Sequence, residues 1–240
     1  MQMIYQDPFE SLNPRENVLT TISTPIYELT DLKDSAKISQ KAFQLLKEVG
    51  LDPESVIERF PHQLSGGERQ RVNIARSLAS NPKLLIADEP VTMLDAEQRL
   101  NILSLLTTLK SKRNLSLLMI THDLATAKLT SDRTMVMYLG KLVELGDTRA
   151  VLTNPHHPYV QLMKMATPVL RRSKDVTEEF LIPFADESPV PENGCIFLPR
   201  CKYSTSICSI VEPKLVEKSN RHVAACHNPL NQVGQASPSN

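Results

Sequence analysis

The sequence predicts an α/β fold built on a parallel sheet, with a helical subdomain near its start and a small cysteine-containing extension at its end. Three observations carry this expectation. Two short apolar runs, residues 84–87 and 115–120, are each followed by acids or an imidazole, the pattern of buried parallel strands whose C-terminal ends line a crevice. Residues 10–63 carry mostly helical signals, and all four cysteines fall within the last 50 residues.

Taken in order, residues 42–49 read as a helix stopped by Gly50, and Asp52-Pro53 opens the next segment. Residues 64–71 are Leu-Ser-Gly-Gly-Glu-Arg-Gln-Arg. Ser65 stands three residues before Glu68, the capping-box spacing, so a helix is expected to start there. Gly66 and Gly67 lack a Cβ and let a ligand approach the helix start, where unpaired N–H groups and the positive dipole end favour an anion such as phosphate. The spacing of Ser65 and Glu68 alone describes an ordinary capped surface helix; the full string of eight residues narrows the reading.

The run at 84–87 ends in Asp88, Glu89 and Pro90. Neighbouring strand residues point to opposite faces, so the two acids can divide the work. Asp88 is placed to hold Mg²⁺ directly or through water, and Glu89 to polarise an attacking water. Asp95 opens an amphipathic helix with Leu100, Leu103 and Leu106 among its apolar positions. The run at 115–120 leads into Thr121-His122-Asp123 and brings an imidazole to the same crevice edge as the acids, because parallel strands share their C-terminal ends.

Residues 135–138 and 142–145 read as a hairpin turning through Leu139-Gly140-Lys141 and closed by Gly146-Asp147. Helices are expected at about 148–153 and 158–167. Residues 168–193, with Pro168, Pro183, Pro189 and Pro191 and little periodicity, read as a linker or loosely packed strap.

Bulk properties exclude several classes. With 27 basic and 27 acidic residues there is no electrostatic case for nucleic acid or anionic lipid. No apolar stretch approaches 18 residues, and the N-terminus lacks the features of a signal peptide. The four cysteines, Cys195, Cys201, Cys208 and Cys226, therefore read as reduced thiolates able to bind tetrahedral zinc or an iron–sulfur cluster rather than as disulfides. Their spacings match neither a C-x₂-C ribbon nor the common ferredoxin run, so the residues leave the metal open. His227, beside Cys226, is a further candidate ligand or a surface residue.

As a set, these segments resemble ABC-type ATPases, a branch of the P-loop NTPases. Residues 64–71 are similar to the signature motif, 84–89 to the Walker B strand with its catalytic glutamate, 92–95 to the D-loop, Thr121-His122-Asp123 to the switch histidine, and Ile4-Tyr5-Gln6-Asp7-Pro8 to the Q-loop. They occur in that family's order and with its spacings over residues 1–150. Asn154-Pro155-His156-His157-Pro158-Tyr159 resembles the segment after the ATPase core in dipeptide and oligopeptide importer subunits. Gly194-Cys195-Ile196-Phe197-Leu198-Pro199-Arg200-Cys201, with Cys208 and Ala225-Cys226-His227, resembles the C-terminal extension of the same group. The segment from Cys226 to Asn231 is similar to the branch linked to antimicrobial-peptide sensitivity.

The resemblance implies an ATPase core over 1–150 with a helical subdomain at 10–80, helices and linker at 151–193, the cysteine-rich extension at 194–230 and a tail at 231–240. It implies ATP and Mg²⁺ as cofactors, with Gln6, Glu89 and His122 catalytic, Ser65, Gly66, Gly67, Glu68, Asp88 and Asp95 at the nucleotide, and Asp88 on the metal. It tips the four cysteines towards [4Fe–4S], with zinc as the alternative. Implied partners are a second ABC ATPase subunit, two transmembrane permease subunits and, indirectly, an extracytoplasmic peptide-binding protein, with the chain peripheral at the cytoplasmic face of the plasma membrane.

The departures weigh as much. The 240 residues contain no G-x-x-x-x-G-K-[ST] loop and only 7 glycines, about 3% against an average near 7%. Without that loop, Asp88 and Glu89 repel a polyanion, so binding of ATP by the chain alone is not expected, and its standing as an ATPase stays open. A partner with an intact loop can still present ATP to Ser65, Gly66 and Gly67. Met93 stands where the D-loop has a small residue. The strand that would carry the loop is expected beside the Walker B strand. A fragment or misassigned start, one piece of a split ATPase and a degenerate subunit all fit. Two other functions stay open: a non-catalytic subunit lending its signature motif, and a vestigial ATPase carrying a metal-binding module.

Overall fold

The computed structural model describes residues 1–167, 190–219 and 221–230. The expected linker up to residue 189 and the tail at 231–240 lie outside the described residues. Two compact units are present, Met1–His122 and Asp123–Asn240.

In the first unit, strands β1 (Gln2–Ile4), β2 (Leu84–Asp88) and β3 (Ser116–Ile120) form a parallel sheet in the order β1-β2-β3. The register sets Ile4 beside Ala87 and Ala87 beside Met119, and pairs Asp88 with Ile120. Both sides of β2 are thus taken, and the open edges belong to β1 and β3. This corrects the expectation that the loop-bearing strand would lie beside the Walker B-like strand. Leu118 and Ile120 of β3 remain 39% and 47% exposed. Strand β1 was not predicted, since three residues are too few to show a period.

The helical insert between β1 and β2 comprises α1 (Pro8–Ser11), α2 (Val18–Leu29), α3 (Ser35–Glu48), α4 (Pro53–Val56) and α5 (Gly66–Leu78). Helix α3 starts seven residues before the expected position, because Asp34 caps it by accepting from the N–H of Lys37 at 3.0 Å. Its buried face is Ile38, Ala42, Leu45 and Leu46, and Gly50, at φ +77°, follows the end where only glycine is unstrained. Helix α6 (Ala96–Arg113) joins β2 to β3; it buries Leu103 and Leu106 as expected, but Leu100 is 58% exposed. Arg113 at its end grips the carboxylate of Glu48 through Nε at 2.7 Å and Nη2 at 2.5 Å, which holds Glu48 below the usual carboxylate range. The insert and the sheet share one core, which includes Ile4, Ile22, Leu46, Leu78, Leu85 and Leu106.

In the second unit, α7 (Leu124–Thr130) is capped by Asp123, which accepts from the N–H groups of Ala125 and Thr126. Strands β4 (Arg133–Tyr138) and β5 (Lys141–Asp147) form the expected hairpin, turned by Leu139 and Gly140 at φ +45° and +78°, the left-handed pair of a tight two-residue turn. Helices α8 (Thr148–Thr153) and α9 (Pro158–Ala166) follow. Two unpredicted strands, β6 (Val216–Ser219) and β7 (His222–Ala224), complete an antiparallel sheet in the order β4-β5-β7-β6. The cysteine-rich extension therefore uses β5 as a template. Phe197, 1% exposed, packs against Tyr138 and Tyr159 with ring centroids 5.2 and 5.5 Å away.

Candidate functional site

The C-terminal end of β2 gathers most of the expected site. Glu89 leaves the strand at φ +42°, a left-handed conformation that costs a non-glycine residue about 1–3 kcal/mol. Its N–H donates to the carbonyl of Ile120 at 3.0 Å, which fixes the turn against β3. Three side chains converge on its carboxylate: Gln6 Nε2 at 3.0 Å and Thr92 Oγ1 at 3.0 Å on Oε2, and His122 Nδ1 at 3.0 Å on Oε1. The hydrogen bond from His122 pulls the carboxyl below its ordinary range against the opposing effect of burial, with a lesser contribution from Thr92. Glu89 is thus held ionised, oriented and reachable, with His122 69% exposed beside it.

The parallel sheet therefore brings Glu89 and His122 to one edge, as expected from the sequence, and adds Gln6 from the end of the unpredicted β1. Thr92 joins them; it was named as part of the D-loop-like segment, but nothing in its type announced a bond to Glu89. Asp88 ends β2 and, with Gln6, lines a cleft of about 1070 Å³ whose walls include Tyr5, Asp7, Glu10 and Arg76.

The signature-like segment folds as its spacing predicts. Ser65 Oγ accepts from the N–H of Glu68 at 3.3 Å, and Glu68 Oε2 accepts from the N–H of Ser65 at 2.8 Å. Glu68 is held below the usual carboxylate range, chiefly by that backbone hydrogen bond. Its role is therefore the cap. Gly67 meets a neighbour of its own chain: a Cβ there would lie 2.5 Å from Gln98 Oε1, whereas one on Gly66 would touch Leu94 at an ordinary 3.8 Å. Gln70 Nε2 donates to the carbonyl of Pro90 at 2.8 Å, which anchors α5 directly behind Glu89. Asp95 caps α6 by accepting from the N–H of Gln98 at 2.8 Å.

In the second unit the four thiols are free. Burial, reinforced by the nearness of the other cysteines, pushes Cys201 up to about 11 and Cys226 up to about 12, and raises Cys195. Cys195 and Cys208 are also joined by a backbone hydrogen bond at 2.7 Å. The thiols are thus within electrostatic reach of one another. Even so, among the described residues no three of His, Cys, Asp and Glu are arranged to hold a metal ion, so the geometry lends no support to the iron–sulfur or zinc reading. His227 is engaged with the carbonyl of Val211 at 2.8 Å.

Sequence reasoning missed a buried polar cluster in this unit. Glu144, 0% exposed, accepts from the N–H of His156 at 3.0 Å and from the N–H of His157 at 2.7 Å, and lies 2.6 Å from His222 Nε2. The rings of His156 and His222 lie 4.3 Å apart. The only sequence signal was a lone acid inside an apolar strand, Leu142-Val143-Glu144-Leu145.

An ionised glutamate at the end of a parallel strand, flanked by an imidazole and an amide and backed by a capped glycine-containing helix start, is the arrangement of an ATP-binding cassette of the ABC class. Comparison with known proteins agrees. Residues 1–92 match the ABC transporter family, and residues 143–208 match the C-terminal region of oligopeptide/dipeptide transporters. The chain is 40% identical over 230 residues to the oligopeptide transport ATP-binding protein AppF of Bacillus subtilis, covering 95% of this chain and 69% of that one. It is 40% identical over 239 residues to the dipeptide transport ATP-binding protein DppD of Escherichia coli, covering 97% and 71%. Among solved structures, the dimeric ATP-binding cassette MJ0796 in a post-hydrolysis state with ADP and Pi is similar with a TM-score of 0.54 and 28% identity, covering 62% of each chain. The chain belongs to the oligopeptide/dipeptide family of ABC transporter ATP-binding subunits. No helix among the described residues is long and apolar enough to cross a membrane.

Proposed function

We propose that these residues form the lid and the water-activating edge of a nucleotide-binding subunit that energises peptide import, while the cradle for the triphosphate lies outside these 240 residues. The observation that carries the proposal is the triple hold on Glu89 by Gln6, Thr92 and His122. Glu89 orients a water as general base, and Asp88 is the residue that would hold Mg²⁺. Gln6 and His122, both now bonded to Glu89, are the groups free to exchange that bond for one to a γ-phosphate. ATP, when bound, supplies the phosphoryl group to be transferred and the charge that these donors recognise.

Ser65, Gly66 and Gly67, with Ser65 exposed at the tip of α5, are suited to close over nucleotide held by a second ABC ATPase subunit. Two permease subunits would seat the chain on the inner face of the plasma membrane, with an extracytoplasmic protein delivering peptide to them. The names of AppF and DppD support this assignment. Uptake of labelled peptide into vesicles that carry the permeases and a loop-bearing partner ATPase tests it. Uptake is expected to require both this chain and ATP, and uptake that persists without the chain contradicts the proposal.

The finer reading, that Cys195, Cys201, Cys208 and Cys226 carry a [4Fe–4S] cluster or zinc, rests on donor chemistry rather than on geometry. Stoichiometric iron or zinc in anaerobically purified protein would establish it. Metal-free protein with four titratable thiols would end it.

A further inference from the structure

We infer that Arg69 is a positioning residue that couples the segment bearing Gln6 to the signature helix α5 through the ring of Phe9. The inference rests on the nucleotide reading given above and extends it. Arg69 Cζ sits 3.4 Å from the centroid of the Phe9 ring, in cation–π contact. Its Nε and Nη2 both donate to the carbonyl of Leu64, at 3.0 and 2.7 Å, so the guanidinium is locked to the residue just before the Ser65 cap. Its Nη1 is buried and has no hydrogen-bond partner among the described residues. A guanidinium in that condition is held by the aromatic face rather than by a full set of acceptors.

Phe9 is 61% exposed, so its ring is not placed by core packing. It belongs to α1, a single turn started by Asp7, whose carboxylate accepts from the N–H of Phe9 at 2.7 Å. Gln6 immediately precedes that cap. A displacement of Gln6 from Glu89 therefore carries α1 with it, and Phe9 conveys the movement to Arg69 and the start of α5. Arg76, two turns further along α5, makes a second tie by donating to the carbonyl of Ser11 at the end of α1. Together the two arginines give α5 a grip on both ends of α1. Arg69 is the tie adjacent to Ser65, Gly66 and Gly67, so it sets whether the helix tip follows Gln6.

The contact acts on a step after nucleotide has bound, which separates it from a role in folding or affinity. In the importer assembled with its partner ATPase and permeases, Arg69→Ala and Phe9→Ala are each expected to lower kcat for ATP about tenfold, with KM changed by less than about twofold. The double variant is expected to be no slower than either single one, and Phe9→Tyr, which keeps the ring, to retain the wild-type rate. Additive losses, losses carried by KM, or a Phe9→Ala protein as fast as wild type would overturn the inference. A wild-type assembly that hydrolyses no ATP defeats the nucleotide reading itself, whereas normal wild-type turnover with a silent Arg69→Ala defeats only the coupling. The chain has no tryptophan, so Phe9→Trp supplies a single fluorophore at the contact. Its emission is expected to shift when Arg69→Ala is added at unchanged melting temperature, and an unaltered spectrum would show that the stacking is absent.

Discussion

Glu89→Gln is expected to cut ATP turnover in the assembled transporter by about two to three orders of magnitude while sparing nucleotide binding. The carboxylate is the acceptor on which Gln6, Thr92 and His122 converge, and the hydrogen bond from His122 holds it below the usual carboxylate range. The amide keeps the shape and one acceptor oxygen but cannot take a proton from water. Because Glu89 occupies a left-handed backbone position, an isosteric replacement is the right probe; a larger change would confuse lost chemistry with a rearranged turn. Turnover is read in the mixture with a loop-bearing partner and binding by equilibrium filtration. Unchanged turnover and transport would mean that the chain lends only Ser65, Gly66 and Gly67 to its partner.

The second large effect is expected at Glu144. Glu144→Ala strips the acceptor from two backbone amides and from His222 Nε2 in a fully buried setting. Removing one side of such a cluster costs roughly 3–5 kcal/mol. The loss should appear as faster amide exchange along β5 and β7, because Glu144 itself pairs with Ala224 beside the short contact of Leu145 with Val223 and Val143 with Ala225. Glu144→Gln, which keeps one acceptor, should lose less. Exchange in Glu144→Ala as slow as in the wild type would show that the cluster contributes nothing to holding the extension.

The same cluster sets a pH dependence. Burial depresses His157 to about 4 and lowers His156, so neither takes a proton in the folded unit where the unfolded chain does. Their contribution is full above the unfolded value of about 6.5 and is lost as pH falls towards 4. Glu144 works in the opposite sense. Burial raises it, so its contribution is present below the unfolded carboxylate value and is lost as pH rises through the folded one. The unit should therefore weaken between pH 6.5 and 4 by less than two buried histidines alone would dictate, and Glu144→Gln should steepen the fall.

What was legible in the sequence follows from range. The Ser65 cap, the strand ending in Asp88 and Glu89, the Asp95 helix and the Leu139-Gly140 turn are set by residues within a few positions of each other, and each formed as expected. The meeting of Glu89 and His122 was legible because parallel strands must share their ends, whereas Gln6 reaches them from the end of the unpredicted β1. By contrast, β1 and β7 exist because a long-range neighbour supplies hydrogen bonds, which three-residue stretches cannot advertise. Leu100 fitted the helical period but faces outward, since only one side of α6 meets the core. Glu144 carried no short-range sign of its role beyond its place in an apolar strand. Its partners His156 and His157 lie 12 and 13 residues away and His222 lies 78 away.

The most direct measurement is a titration of Mg·ATP onto the isolated chain, repeated after an ABC ATPase with an intact phosphate loop is added. The account predicts no saturable binding by the chain alone up to about millimolar ATP, roughly the weak end of the affinity scale, and saturable binding in the mixture that weakens when Ser65 is replaced by a bulky residue. Micromolar binding by the isolated chain, or a mixture indifferent to Ser65, would contradict it.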